Sequence, residues 1–180
     1  MTWTNVDGLV VKFGKERADE ARGGEINNIG RHVIEFTIDY RDVLSATNAV
    51  LGSSTINGGP GTFGVVVPKG ARIEALETVV TTAFQSSGTI GSSTLLIGTK
   101  KASDLSTELD HDGFTTASFV GGVLDAAGER VYVTIGSTGA GAQIGTTLAE
   151  AGVISVSNSA HASHPYIAGV LNCRLYYRLV

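Results

Sequence analysis

The run Leu171-Asn172-Cys173-Arg174-Leu175-Tyr176-Tyr177-Arg178-Leu179 alternates between two chemical characters at every second residue. Side chains of a strand point alternately to its two faces. Leu171, Cys173, Leu175, Tyr177 and Leu179 therefore share one face, and Asn172, Arg174, Tyr176 and Arg178 share the other. A helix would scatter both sets around its circumference. The pattern predicts a long strand, dry on one side, at or near the middle of a sheet, and its removal is expected to unfold the domain.

The same period recurs upstream. Ile34, Phe36, Ile38 and Tyr40 alternate with Glu35, Thr37 and Asp39, and Val131, Val133 and Ile135 alternate with Arg130, Tyr132 and Thr134. Further strands are predicted over 8–13, 62–67, 72–84, 94–98 and 152–156. Within 72–84 the phase changes: Ile73 and Ala75 lie on one parity, Leu76, Thr78, Val80, Thr82 and Phe84 on the other. One inserted residue, a bulge near Ala75, reconciles the halves. Asn57-Gly58-Gly59-Pro60-Gly61, Pro68-Lys69-Gly70, Ser86-Ser87-Gly88 and Asp112-Gly113 supply the turns. Short helical turns are expected only over 105–109, 146–151 and 15–22. Many short strands so punctuated predict an all-β fold, an antiparallel β-sandwich or jelly-roll over residues 30–180.

Residues 1–29 differ in composition and read as an extended N-terminal arm. From Lys12 to Glu25 four basic residues (Lys12, Lys15, Arg17, Arg22) mix with four acidic ones, and Gly23-Gly24 reads as a hinge before the first long strand, which begins after Gly30. Interspersed charges of this kind set register against a partner more than they add affinity. Trp3 has nothing local to cover it, and a large aromatic so placed reads as an interface anchor. Trp3, Lys12, Lys15, Arg17 and Arg22 are the candidate contact residues.

Composition narrows the function. The 180 residues carry a net charge of −4 with a pI near 5.5, and only 17% are charged, so no long-range field draws the chain to nucleic acid or anionic lipid. No run approaches the ~18 apolar residues of a membrane span, and the first residues lack a basic and then apolar leader. Neither a nucleic-acid nor a membrane partner is expected. Cys173 is the single cysteine and sits on an apolar parity, which reads as a buried thiol and fits assembly in a reducing cytosol.

Chemistry-bearing patterns are incomplete. His161-Ala162-Ser163-His164 has a ligand-like spacing but lies before Pro165 in a loop, with no third ligand nearby in sequence. Asp110-His111-Asp112-Gly113 looks like the start of a calcium loop, yet 114–124 contains no acidic residue to complete it, so it reads as a turn. The glycine-rich stretches 136–141 and 145–147 lack the Gly-Lys-Ser/Thr ending of a phosphate loop, and Gly91-Ser92-Ser93-Thr94-Leu95 lacks the closing glycine of a nucleophile elbow. No catalytic residue, metal ligand or cofactor is assigned, and no enzymatic activity is expected.

Val66-Val67-Pro68-Lys69-Gly70-Ala71-Arg72-Ile73-Glu74-Ala75-Leu76-Glu77 resembles a pattern of virion structural proteins of tailed bacteriophages, in which a strand ends at a Pro-x-Gly-Ala turn and the next begins with Arg-Ile. Asp7-Gly8-Leu9-Val10-Val11-Lys12-Phe13-Gly14, Gly23-Gly24-Glu25 and Leu105-Ser106-Thr107-Glu108-Leu109-Asp110-His111-Asp112-Gly113-Phe114 are similar to stretches of small capsid-associated proteins of marine phages. The resemblance implies a head decoration, or cement, protein: a non-enzymatic β-sandwich or jelly-roll bound to the exterior of the major capsid lattice, with the major capsid protein as partner, assembled in the host cytoplasm. A homo-oligomer, taken as a trimer, is expected because Ser/Thr-rich strands with little charge present flat polar surface for copies to cover. The competing expectation is a receptor- or glycan-binding module of a phage tail or head fibre.

Overall fold

The computed structural model describes residues 2–4, 10–12, 23–28, 30–43, 49–51, 65–116 and 121–180, the first three stretches by backbone alone. The fold is all-β. Among the described residues twelve strands occur in chain order: β1 (Thr2–Thr4), β2 (Val10–Lys12), β3 (Gly23–Asn28), β4 (Arg31–Asp39), β5 (Ala49–Val50), β6 (Val66–Val67), β7 (Ala71–Ser86), β8 (Leu96–Lys101), β9 (Glu108–Asp110), β10 (Arg130–Thr134), β11 (Gly152–Ser157) and β12 (Tyr166–Leu179). One five-stranded sheet has the order β10-β7-β12-β4-β3. The second runs β5-β11-β8-β9, with β6 also bonded to β11. Among the described residues every pairing is antiparallel, and β1 and β2 pair with each other outside the two larger sheets.

The two sheets share one core, which makes the fold sandwich-like. Ile34, Phe36 and Ile38 of β4 meet Ile73, Leu76, Val80 and Phe84 of β7 and Leu171, Cys173, Leu175 and Tyr177 of β12; Ile97, Ile154 and Val156 come from the second sheet. The alternating run over 171–179 lies in the middle strand of its sheet, bonded to β7 on one side and β4 on the other. Only Leu179, at its end, leaves the core and is half-exposed.

The phase change in β7 has a visible cause. Tyr176 pairs with Ala75, but Tyr177 pairs with Ile73, so Glu74 is an extra residue. This bulge lets Ala75 and Leu76 be buried in succession while Glu74 faces outward to Arg31 and Arg178. Thr82, placed by parity with the buried residues, is exposed: the register slips again between Val170 and Leu171.

Three local expectations are corrected. Gly23 and Gly24 form no hinge; they begin β3 and pair with Phe36 and Glu35. Residues 105–109 form no helical turn, because the Asp104 carboxylate gathers the Ser106 and Thr107 N–H groups into a turn that delivers the chain to β9. Residues 146–151 do not coil either. Their backbone bonds to the start of β7, with Ile73 N–H donating to Thr146 O (2.9 Å) and Leu148 N–H to Ala71 O (2.9 Å). The helical expectation over 15–22 lies outside the described residues.

Candidate functional site

The described groups that bring metal-ligand-type atoms of three residues together lie on the turn after β9. Asp104 accepts from Ser106 N–H (2.8 Å), Thr107 N–H (2.7 Å) and the Thr107 hydroxyl (2.7 Å), and these bonds hold its carboxyl well below the usual carboxylate range. The chain then pairs with β8 over Glu108–Asp110 and turns sharply. One ligand-type atom from each of Asp110, His111 and Asp112 lies within 4.8 Å of the others. His111 Nδ1 is 3.1 Å from Glu108 and 3.8 Å from Asp112.

Asp110 is partly buried, and that desolvation, followed by a hydrogen bond and charge repulsion from Asp112, pushes its carboxyl pKa up, with His111 opposing. The turn comes close to the body of the protein at two glycines: a Cβ on Gly98 would overlap the Asp110 carbonyl, and one on Gly113 would overlap the Gln143 side chain. Gln143 is itself buried and exchanges hydrogen bonds with the Thr99 hydroxyl (2.8 and 3.1 Å).

Beside this turn runs an open groove of about 260 Å³ whose polar lining is Asp110, Gln143, Thr146, Thr147 and Glu150. Glu150 is also paired with Lys101 (3.2 Å). Two carboxyls and an imidazole thus gather on one turn. For a metal they offer three neighbouring donors from one short segment, without the remaining oxygen ligands a calcium loop supplies.

The other sequence candidates are held differently. His164 Nδ1 accepts the Thr89 N–H (2.9 Å), while the His164 carbonyl accepts from Ser93 Oγ and Asn158 Nδ2 (2.9 Å each). That nitrogen is thus occupied in pinning the 87–94 loop, and His161 and His164 are joined by no third ligand among the described residues. Cys173 is fully buried in the core, and desolvation pushes its thiol pKa up, so it is a packing residue. Trp3 and Lys12 lie in β1 and β2, where Trp3 stands opposite Val11 and Lys12 opposite Thr2. Lys15, Arg17 and Arg22 lie outside the described residues.

One feature escaped the sequence reading: the outer face of the larger sheet is a charged and aromatic lattice. Arg31 and Arg178 both reach Glu74 (2.9 and 2.6 Å), Arg174 reaches Glu35 (2.7 Å), and Tyr176 donates its hydroxyl to Glu77 (2.8 Å). Arg31 also lies 4.7 Å over the Tyr176 ring. Exposed pairs of this kind add little stability. They do fix a Tyr- and Arg-rich surface of the composition found at interface centres. Its signal in the sequence was the wet parity of β12, Asn172-Arg174-Tyr176-Arg178.

Set beside known protein families, curated proteins and solved structures, the chain matches none of them.

Proposed function

We propose that this chain is a non-enzymatic virion structural protein that binds the outer surface of a major capsid lattice and stabilises the head, as a decoration protein does. The observation that carries the reading is the strand order. β4-β12-β7-β10 in one sheet and β5-β11-β8-β9 in the other interleave strands in the manner of two Greek keys, which supports reading the sandwich as a jelly-roll. That architecture recurs in viral capsid and lectin domains. Fold alone does not assign function, so the motif resemblance at 66–77 and the net charge of −4, which suits a capsid exterior better than contact with nucleic acid, support the choice.

The N-terminal segment is the proposed contact. The β1–β2 hairpin belongs to neither large sheet, and two strands of three residues gain too little to hold themselves without a surface to pack on. Trp3, Lys12, Lys15, Arg17 and Arg22 would meet that surface. Binding only the assembled lattice stabilises the shell by mass action, with many copies each contributing modestly.

A second reading, a glycan-binding module of a tail or head fibre, draws on the groove beside Asp110, whose carboxyl, amide and hydroxyl groups suit sugar hydroxyls. Imaging intact particles separates the two: hundreds of copies over the head support decoration, and a few at the tail or on fibres support the alternative. Deleting residues 1–22, which stops short of β3, is expected to leave a folded protein that no longer attaches to shells; equal occupancy by the truncated protein would refute the arm's role.

A further inference from the structure

The larger sheet ends at β10 on one side and at β3 on the other, and at β10 the free backbone groups can be assigned residue by residue. The Val80 N–H donates to Glu129 O (2.9 Å) and the Gly128 N–H to Val80 O (2.8 Å). From that register, Val131 and Val133 direct their backbone groups at β7, while Arg130, Tyr132 and Thr134 turn theirs away from the sheet. Thr134 is already closed: its N–H reaches Ser137 Oγ (3.1 Å), and its carbonyl accepts the Ser137 N–H (2.9 Å). Arg130 and Tyr132 have no such cap among the described residues. Their side chains stand in solvent, with Tyr132 55% exposed and Ile135 next to the strand 63% exposed.

We propose that β10 is where this chain pairs with a second copy of itself, antiparallel about a two-fold axis at Val131, so that two five-stranded sheets become one. The free groups select this register. Centred on Val131, Arg130 of each copy bonds Tyr132 of the other, and every open N–H and C=O between them is satisfied. Centred on Tyr132, the strand would face Thr134, whose groups are taken. The side chains agree: directly opposed residues share a face, so each Arg130 guanidinium lies beside the partner's Tyr132 ring, a cation–π arrangement made twice. No like charges are opposed. The edge is short and buries less than the ~1,200 Å² of a standard interface, so association in free solution is weak and strengthens where copies are held side by side. The pair is two-fold, in place of the trimer expected from composition.

The test uses the full-length pure protein without shells, so its outcome is independent of the capsid reading. In the proposed pair the two Val131 Cα atoms lie about 4.5 Å apart, within disulfide reach. Under mild oxidation Val131→Cys is expected to form a covalent dimer about tenfold more than Thr81→Cys, an exposed control on β7 away from the edge. Buried Cys173 does not compete. Tyr132→Pro removes an N–H that points away from the sheet, a change edge strands tolerate, and is expected to abolish the concentration-dependent shift in sedimentation shown by the unmodified protein. Should that variant misfold, Arg130→Ala serves, because it removes the guanidinium from the partner's ring and loses within its own sheet only a 3.7 Å pair with Glu77. Cross-linking at Val131 no greater than at Thr81, or sedimentation of the unmodified protein that stays monomeric at all concentrations, overturns the proposal.

Discussion

Gly169→Ala is the substitution on which the packing argument for β12 bears most directly. Gly169 has φ +136°, and a Cβ built there would lie inside contact distance of Cγ and both Cδ atoms of Phe84. Phe84 cannot step aside freely: it is 1% exposed and meets the buried Tyr166 ring edge-on at 5.1 Å. Two costs follow, about 1–3 kcal/mol for holding an L-residue in that backbone region and about 1–3 kcal/mol for overpacking the core. Against them stands a gain of only about 0.4–1 kcal/mol from a stiffer unfolded chain. A net loss of about 3 kcal/mol should lower Tm by roughly 6–12 °C for a domain of this size. Gly91→Ala is the control, since nothing lies within 4 Å of its added Cβ and its φ is not positive; it should leave Tm nearly unchanged. Urea melts of Gly169→Ala, Phe84→Ala and the double variant close the cycle, and a coupling of about 1 kcal/mol or more is expected, because the smaller side chain removes the clash. Additive losses, or a Gly169→Ala protein as stable as the parent, would refute the close packing of ring on glycine.

Two further outcomes test the turn and its groove. Asp110 and Asp104 should respond to pH with opposite sign. The Asp110 carboxyl binds its proton more tightly folded than unfolded, so its ionisation destabilises the fold above the raised pKa, and Asp110→Asn should raise Tm at pH 7, the gain vanishing once pH falls below 3.8. Asp104 is lowered, so its charge contributes stability that is full above 3.8 and lost as pH falls through the folded value; Asp104→Ala should lower Tm at pH 7 by an amount that fades in acid. Thermal melts across pH 2.5–7.5 check both. Gln143→Leu strands the Thr99 hydroxyl, which is fully buried with Gln143 as its hydrogen-bond partner, and should cost about 1–3 kcal/mol by chemical denaturation; replacing Thr99 by Val in the same protein should recover part of that loss.

Strands whose faces differ in wetness were legible, and strands made by their neighbours were not. β4 and β12 have one dry and one wet parity, and the Ala75-Leu76 phase change located the bulge at Glu74 to within one residue. β3 has no such signal, since Gly23-Gly24-Glu25-Ile26-Asn27-Asn28 does not alternate; it is a strand because β4 offers it an unpaired edge. Likewise, 146–151 was drawn from a local helical preference to bonds with β7 that are remote in sequence. In β11 the serines on the wet parity, Ser155 and Ser157, are as buried as their apolar neighbours, so parity indicated the strand but not the cover on its second face. For the candidate site, the Asp110-His111-Asp112 turn was legible from residue types alone. The groove beside it was not, since it brings 109–110 together with 142–150, and no spacing rule relates segments joined only through tertiary hydrogen bonds.

The edges of the two sheets are not equally defended. An open row of backbone groups invites indiscriminate pairing, and sheets commonly suppress it with short strands, charge or local irregularity. β9 has all three: three residues, carboxylates at Glu108 and Asp110, and a register slip between Thr99 and Lys100. β5 and β6 are two residues each. β3, at one edge of the larger sheet, has six residues; β10, at the other, has five, is closed by Ser137 at Thr134, and among the described residues is left open at Arg130 and Tyr132. An edge left wholly open would accept any strand in any register, whereas one closed over part of its length satisfies its remaining groups in a single alignment. Selectivity in the proposed pairing at β10 therefore comes from what the strand withholds as much as from what it offers.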